Sequence, residues 1–349
     1  MHCPTSPFLL GVALCAAVGC EPDPDYPEYP LDGIKVFVGF DEPICGGTFD
    51  WMEARLRWLE SVTGLPIAQP PIEYYWLRED VKDYCDFGAC GITLGDRMYS
   101  PLELFDHELV HGHMAQLGVP RPWLAEGMAR MFEDTRWTLP PYILTPMAML
   151  EESNAFNLDY NSAASFVRFL RDRFGMPALL ELYAALDGVD VEGTSDVFLA
   201  VLGEDWDAVE SAYLPAYTPN FVGAINCDFP VLAPAGDTWT LPVASPCEDA
   251  ATVGPYLGWA ASDTPTSKRH VILEIPAAGT YTVTMTSSAG TSVNIIDCGD
   301  APEYFSRHDT RLNETIELSP GRKRLKITTD IADEAVGEVV LSGPLTPDP

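Results

Sequence analysis

Hydrophobic residues in the first two thirds of the chain change repeatedly between strand-like and helix-like spacing. Short apolar runs predict strands at residues 34–40, 72–77 and 91–99. Helical spacing predicts helices at residues 49–62, 102–117 and 123–132, and a helical region at 160–215 that is broken near 188–193. This alternation is typical of a small sheet with helices packed against it.

The hydrophobic pattern changes at Pro219. From Cys227 onward, short β-branched runs are separated by turn residues, at 238–241, 270–274, 279–285, 292–296, 314–318, 324–329 and 338–341. Alternating residues at this spacing predict an all-β sandwich. At 349 residues the chain is long enough for two domains. We therefore predict one domain over residues 33–218 and a second over 219–349.

The run His107-Glu108-Leu109-Val110-His111 lies inside a predicted helix. Residues four apart share a helix face, so the two imidazoles can bind one divalent ion, which we expect to be Zn²⁺. Glu108 is not a ligand in this pattern; it would hold and deprotonate the metal-bound water. Glu126, fifteen residues after His111, is the expected third ligand. The alternative is that both histidines and Glu126 are ordinary solvated side chains.

Start and stop signals flank this helix on both sides. Ser100-Pro101-Leu102-Glu103 is a capping box with proline at the first helical position, and Gly118 is a natural end. Pro120 and Pro122 then interrupt the chain before the helix that carries Glu126. Both histidines are therefore expected in the middle of a rigid helix.

The first motif, followed by Pro122-x-Trp-Leu-x-Glu126-Gly127-x-Ala129, resembles the gluzincin (peptidase MA-like) zinc metallopeptidases. The resemblance extends over about residues 33–218, and residues 160–175 look like the helix that follows the site in that family. It implies an α+β fold class: a zincin-like catalytic domain, made of a small mixed sheet, an active-site helix and a helical lobe. The all-β region after it is similar to the jelly-roll accessory domains of secreted bacterial peptidases.

Carried over by position, the resemblance implies that His107, His111 and Glu126 are the metal ligands and that Glu108 is the general base. It also makes Tyr160 a candidate donor to the oxyanion, although an aromatic residue at the start of a helix more often packs in the core. Tyr99 and His113 are weaker candidates for that role.

Two departures limit the resemblance. Arg130 stands four residues after Glu126, where thermolysin-like enzymes have a carboxylate that orients a ligand histidine. The gap between His111 and Glu126 is also shorter than in thermolysin-like or aminopeptidase-type gluzincins. Met114 and Leu117 exclude a metzincin, which would have glycine and histidine at those positions.

The amino-terminal segment predicts export. Its apolar run at residues 8–17 suits a signal-peptide core and is too short to span a bilayer. Ala17-Val18-Gly19-Cys20 resembles a bacterial lipoprotein box, with Cys20 as the lipidated residue, although alanine replaces the usual leucine and no Lys or Arg precedes it. We predict a signal peptide at 1–20, an acidic, proline-rich tether at 21–32, and a lipid anchor in the bacterial cell envelope.

Six cysteines follow the predicted cleavage point, at positions 45, 85, 90, 227, 247 and 298. An even number in an exported protein favours disulfides, and one bond is expected to cross between the domains unless a thiol stays free. No CxxC pair occurs, so a cysteine-based zinc site is disfavoured.

The charge is strongly acidic, with 52 Asp and Glu against 20 Lys and Arg and a formal net charge of −32. Such a surface repels nucleic acid and anionic membrane, and no nucleic-acid motif occurs. Attraction of cationic peptides, calcium binding and a simple solvated surface all stay open.

The sequence therefore predicts a zinc metallopeptidase of the cell envelope that acts on peptide or protein substrates. Its motifs favour an endopeptidase over an aminopeptidase. The alternative is a catalytically silent, zinc-containing surface lipoprotein that acts as a binding module. A third reading keeps the hydrolytic metal but places the cleaved amide in cell-wall material.

Overall fold

A computed structural model of the chain describes residues 26–77, 92–94, 97–100, 106–133, 136–138, 145–152, 157–216, 220–256, 265–299, 304–331 and 336–344. Several predictions fall on residues outside these ranges. They concern the signal segment 1–20 with Cys20, the first part of the tether, Cys85 and Cys90, and the helix start at 101–103.

The amino-terminal part contains a five-stranded mixed sheet in the order β1-β2-β3-β5-β4. Its strands are β1 Glu28–Leu31, β2 Ile34–Gly39, β3 Ile72–Leu77, β4 Ile92–Leu94 and β5 Arg97–Ser100. Strands β2, β3 and β5 are parallel, whereas β1 and β4 run antiparallel to their neighbours. The single strand predicted at 91–99 is therefore two paired strands, and Gly95-Asp96 is a turn signal that the apolar pattern concealed.

Eight α-helices lie in the described part of the chain before residue 217. They are α1 Thr48–Thr63, α2 Asp106–Met114, α3 Pro122–Met131, α4 Pro146–Glu151, α5 Tyr160–Phe174, α6 Met176–Ala185, α7 Val191–Leu202 and α8 Trp206–Ala216. A 3₁₀ turn, Ala115–Leu117, follows α2, and strands β6 Arg136–Thr138 and β7 Asn220–Val222 form a separate pair. None of the described helices is both long and apolar enough to cross a bilayer.

One face of the mixed sheet carries the core of the amino-terminal part. Ile34, Val36 and Val38 alternate along β2 and are buried, as a strand period of two requires. They join the buried side chains of α1, α2, α3 and α5 in one hydrophobic cluster. Val253 and Tyr256 of the carboxy-terminal part complete this cluster, so the two parts share a core.

The carboxy-terminal part is one seven-stranded antiparallel sheet with its own hydrophobic core. Its strands are β8 Thr238–Pro242, β9 Thr252–Tyr256, β10 Thr266–Ile275, β11 Gly279–Asp297, β12 Tyr304–Leu318, β13 Gly321–Asp330 and β14 Gly337–Ser342. The first half of β11 pairs with β14, its second half pairs with β13, and β12 lies along its other edge.

The predicted fold class, an α+β zincin-like catalytic domain followed by an all-β sandwich, is wrong. The dominant unit is a large antiparallel sheet that curls into a half-barrel around one core. The runs 279–285 and 292–296, predicted as two strands, belong to the single 19-residue strand β11, whose pairing with β12 shifts register between Thr286 and Thr291. Such an irregularity lets one long strand bend and serve both ends of one sheet. The local hydrophobic pattern shows where strands lie but does not show which strands pair, so it could not reveal that these two runs form one strand.

A disulfide joins Cys45, just before α1, to Cys247 in the carboxy-terminal part. A second disulfide joins Cys227 to Cys298. Beside the first, the Thr48 hydroxyl donates to the Gly254 carbonyl at 2.6 Å and accepts the Gly254 N–H at 3.1 Å. The start of α1 is therefore attached to the curled sheet both covalently and by hydrogen bonds.

Candidate metal centre

Helices α2 and α3 bring three potential metal ligands together. His107 and His111 are one helical turn apart on α2, and Glu126 lies in the second turn of α3. His107 Nε2 lies 2.9 Å from Glu126 Oε2 and 3.1 Å from His111 Nε2. His111 Nε2 lies 3.2 Å from the same Glu126 oxygen. The three atoms thus form a nearly equilateral triangle.

This triangle fits a zinc ion. Ligand atoms at tetrahedral Zn–N and Zn–O bond lengths are separated by about 3.3 Å, and two imidazoles with one carboxylate are a known catalytic donor set. In the described part of the chain, His107, His111 and Glu126 form the cluster whose ligand atoms lie close enough together to hold a metal ion. A set of three protein ligands also leaves a coordination position open, which is typical of catalytic rather than structural zinc.

The electrostatics of the triangle favour a cation. Burial by itself lowers the pKa of His107, but hydrogen bonds to Glu126 and Glu133 and the charge of Glu108 raise it to about 10. Burial opposes ionisation of Glu126, but His111 and His107 hold the pKa of its carboxyl well below the usual range. Glu108, Glu126 and Glu133 therefore place negative charge around the two imidazoles.

Glu108 is buried beside the two histidines, with 4% of its surface exposed. Burial raises the pKa of its carboxyl, although His111 and His107 partly counteract that effect. A carboxyl with a raised pKa is better suited to accept and return a proton than an ordinary glutamate.

Glu133 is a residue of the site whose position the sequence did not predict. Its Oε2 lies 3.5 Å from His107 Nδ1, on the side of the ring opposite the triangle, and 2.5 Å from Arg130 Nη1. A carboxylate in that position fixes the tautomer and orientation of a ligand histidine. Glu133 lies two residues beyond the end of α3, so helical periodicity alone did not indicate it.

Tyr160, the first residue of α5, lies against the site. Its ring stacks on that of His107, with centroids 5.6 Å apart and an interplanar angle of 8°. Burial, the charges of Glu126 and Glu108 and a hydrogen bond with Glu126 raise the pKa of its hydroxyl. The hydroxyl therefore stays protonated and able to donate near neutral pH.

Two glycines permit the close packing that assembles the site. A Cβ on Gly112 of α2 would stand 2.2 Å from the Met98 sulfur on β5, so any larger residue there would force the Met98 side chain to move. A Cβ on Gly127 would stand 2.9 Å from the Ala163 carbonyl oxygen. The Gly127 contact brings α5, and with it Tyr160, next to the helix that carries Glu126.

Other residues considered from the sequence lie away from the triangle. His113 is fully buried, and its Nε2 lies 3.3 Å from the Thr63 hydroxyl. That hydroxyl donates to the Leu59 carbonyl, so the histidine must be the donor, and burial lowers its pKa to about 4. Tyr99 stacks on Tyr75 across the sheet.

Comparison with known proteins assigns no family to the chain. No family model matches it, and no curated protein matches it. Among solved structures, it is similar to the pre-peptidase C-terminal domain of a Bacillus anthracis collagenase, at 12% identity over 30% of this chain and 85% of that chain, with a TM-score of 0.19. It is also similar to a carbohydrate-binding module of Cellvibrio mixtus lichenase 5A, at 15% identity over 32% of this chain and 98% of that chain, with a TM-score of 0.19.

A third solved structure is the Podospora anserina GH26-CBM35 mannanase, at 13% identity over 32% of this chain and 29% of that chain, with a TM-score of 0.20. The chain thus spans less than a third of that mannanase. No activity or ligand follows from likenesses at these TM-scores. None of the three is named as a gluzincin, so the resemblance to that family rests on the two motifs.

Proposed function

We propose that this protein is a zinc-dependent hydrolase that cleaves peptide bonds, with Glu108 as its general base. The observation that carries the proposal is the convergence of His107 Nε2, His111 Nε2 and Glu126 Oε2 within 3.2 Å of one another. A buried glutamate next to the first ligand has no purpose in a purely structural metal site, whereas hydrolysis requires a base there.

His107, His111 and Glu126 would hold the ion. Bound Zn²⁺ supplies a Lewis acid that polarises a carbonyl and lowers the pKa of water towards neutrality. Glu108 accepts a proton from the attacking water and passes it to the leaving nitrogen, because its raised pKa suits both transfers. Glu133 keeps His107 oriented throughout by its contact with Nδ1.

Tyr160 would donate a hydrogen bond to the oxygen on which negative charge develops. Its raised pKa keeps the proton on the hydroxyl, and its stacking on His107 places the side chain at the ligand triangle. A preorganised donor in a site of this kind stabilises the transition state more than the ground state.

A peptide is the substrate that best fits the surroundings of the site. His111 and Glu126 keep 14% and 15% of their side-chain surface exposed, so the triangle is open to solvent on one side. Among the described residues, strand β4 is the last strand in the sheet order, and it packs against α2. An edge strand can pair with an extended peptide through main-chain hydrogen bonds.

The first experiment measures zinc per chain in purified wild type and in the Glu126→Ala variant, with Glu274→Ala on β10 as a matched exposed control. We expect about one zinc in wild type and in the control, and much less in Glu126→Ala. Full zinc in all three would show that Glu126 is not the third ligand. Absence of zinc in wild type would leave the surface-binding lipoprotein as the better account.

The second experiment screens a peptide library and isolated cell-wall peptides with wild type and the Glu108→Gln variant. Cleavage of the library that Glu108→Gln abolishes supports the peptidase. Cleavage of cell-wall material alone would place the scissile amide there. Stoichiometric zinc with no cleavage of either substrate would favour the catalytically silent lipoprotein.

We also propose that the protein is exported and anchored in the cell envelope by a lipid on Cys20. Two disulfides support an oxidising compartment, because such bonds are rare in a reducing cytosol. Expression of wild type and Cys20→Ser followed by membrane fractionation tests the anchor. We expect wild type in the membrane fraction and Cys20→Ser in the soluble fraction; equal distribution of the two would refute the lipid anchor.

A further inference from the structure

We propose that Arg55 of helix α1 is a positioning residue that sets the geometry of the metal centre without touching it. The inference rests on the proposed zinc site. It concerns a residue 52 positions before His107 in the chain, which no feature of the sequence singled out.

Arg55 is almost fully buried, with 1% of its surface exposed. Its Nη2 donates to the Phe132 carbonyl oxygen, and its Nε lies 3.9 Å from Asp106 Oδ1. The guanidinium carbon stands 4.3 Å from the centre of the Trp58 ring. One side chain of α1 therefore contacts both the start of α2 and the end of α3.

The two residues that Arg55 contacts are sequence neighbours of the ligand His107 and of Glu133, the carboxylate behind it. Asp106 precedes His107 in the chain, and Phe132 precedes Glu133. Glu133 Oε2 in turn lies 3.5 Å from His107 Nδ1. The guanidinium thus fixes the backbone that carries His107 and the backbone that carries the carboxylate behind it.

Helix-end chemistry explains why an arginine suits this place. Carbonyl groups at the carboxyl end of a helix lack intrahelical partners, and the Phe132 carbonyl at the end of α3 obtains one from Arg55. A cation is also favourable at that end of α3, as an acid is at the amino end of α2, where Asp106 lies. The planar guanidinium serves both ends at once.

Stability alone does not account for Arg55. Its Nε and Nη1 have no hydrogen-bond acceptor among the described residues, and burying such groups is unfavourable. Apolar residues that replace a whole buried ion pair often leave stability unchanged. We therefore assign Arg55 a role in positioning the ends of α2 and α3 rather than in packing.

Helix α1 is a firm base for such a role. Its first residue, Thr48, exchanges hydrogen bonds with Gly254 of the curled sheet, and Cys45 just before it is bonded to Cys247. Arg55 lies two turns further along the same helix. The curled sheet thereby supports the position of the guanidinium.

The test compares purified wild type with Arg55→Met, Arg55→Lys and Leu56→Ala. Arg55→Met keeps the length and removes the donors and charge, whereas Arg55→Lys keeps the charge and removes the planar fork. Leu56 is fully buried on the same helix and serves as the control for loss of stability. The readouts are the zinc dissociation constant by chelator competition and the visible spectrum of the Co²⁺-substituted protein.

We expect Arg55→Met to weaken zinc binding about tenfold to a hundredfold, the usual effect of losing an outer support of a metal ligand. Its Co²⁺ spectrum should change, Arg55→Lys should recover part of the affinity, and Leu56→Ala should lower the melting temperature but keep the wild-type constant and spectrum. If Arg55→Met does not fold, the Co²⁺ spectrum of Arg55→Lys decides: a change supports the proposal and an unchanged spectrum overturns it.

The inference fails if Arg55→Met binds zinc like wild type with an unchanged spectrum, or if Leu56→Ala weakens zinc as much as Arg55→Met does. Either result leaves the proposed function intact, because the wild type still binds zinc. A wild type without zinc is the separate outcome that refutes the proposed function.

Discussion

Nδ1 of His107 lies 3.5 Å from Oε2 of Glu133, while Nε2 of the same ring lies 2.9 Å from Oε2 of Glu126. The imidazole is thus held between two carboxylates, one on each ring nitrogen. Arg130 contacts the outer carboxylate at 2.5 Å and keeps it ionised, since burial by itself would raise the pKa of Glu133 whereas His107 and Arg130 lower it.

The role of Glu133 is testable with Glu133→Gln. We expect zinc affinity to fall about tenfold to a hundredfold, because the amide holds His107 less firmly than a carboxylate does. Chelator competition measures the constant. Glu204→Gln, which removes the exposed partner of Arg173, is the matched control and should bind zinc like wild type. Equal constants for both variants would contradict the role of Glu133.

Replacement of Glu108 by Gln should abolish most of the activity and spare the metal. Loss of a general base lowers turnover about 10²- to 10⁴-fold. Glu108 is not among the three grouped ligands, so zinc content should stay at the wild-type level. Steady-state rates on a cleaved library peptide and elemental analysis check the two halves. Substantial turnover in Glu108→Gln would assign the base elsewhere.

Tyr160→Phe should lower kcat about 10²- to 10³-fold, the effect of losing one oxyanion donor, with zinc content unchanged. Tyr213→Phe removes a hydroxyl that bonds to Ser165 in the same helical region and is the matched control. Turnover of Tyr160→Phe at the level of this control would leave Tyr160 a packing residue.

The bond between Cys45 and Cys247 closes a loop of 202 residues across the two parts of the chain. The double variant Cys45→Ser/Cys247→Ser should lose about 2–5 kcal/mol of the free energy of unfolding, because the unfolded chain gains freedom. Denaturant unfolding under oxidising conditions measures the loss. Reduction of the wild type should lower its free energy of unfolding by at least the same amount. A double variant as stable as wild type would contradict a stabilising role of this disulfide.

His270 predicts an acid-sensitive step in the carboxy-terminal part. Burial and the charges of Arg324, Lys326 and Lys268 hold the pKa of His270 well below its usual value, and its ring stacks on Phe229 at 4.7 Å. The unfolded chain therefore binds a proton that the folded chain does not, so stability falls as pH drops below the unfolded pKa of about 6.5.

The size of that effect follows from linkage. Between about pH 7.5 and about pH 5, His270 should contribute a loss of up to about 2 kcal/mol. His270→Phe keeps the stacking and removes the titration, so its stability should depend less on pH by that amount. Denaturant melts at both pH values measure the difference. Parallel pH profiles for the two proteins would show that the folded histidine titrates normally.

The helix positions of the three expected ligands could be predicted from the sequence because helical spacing is local. His107 and His111 are one turn apart wherever the helix lies, and Pro120 and Pro122 set the start of α3 close behind. The same rule placed His113 off the metal face, and the structure buries it against Thr63.

The neighbours of the site depend on long-range packing and were not predictable in the same way. Tyr160 reaches His107 because α5 packs closely at Gly127, and Arg55 comes from a helix about fifty residues upstream of the first motif. Neither contact leaves a periodic signal, since the partners are far apart in sequence.

The same distinction separates the strands from the sheet they build. Alternation along residues 270–274 or 324–329 is a property of each segment, and it indicated strands that the structure contains as β10 and β13. Which edge each strand meets is decided by bends and by the burial of a shared core. That is why a two-sheet sandwich was expected and one curled sheet is found. Inward-facing and outward-facing residues alternate along a strand in the same way in both architectures, and only the pairing of the strands distinguishes them.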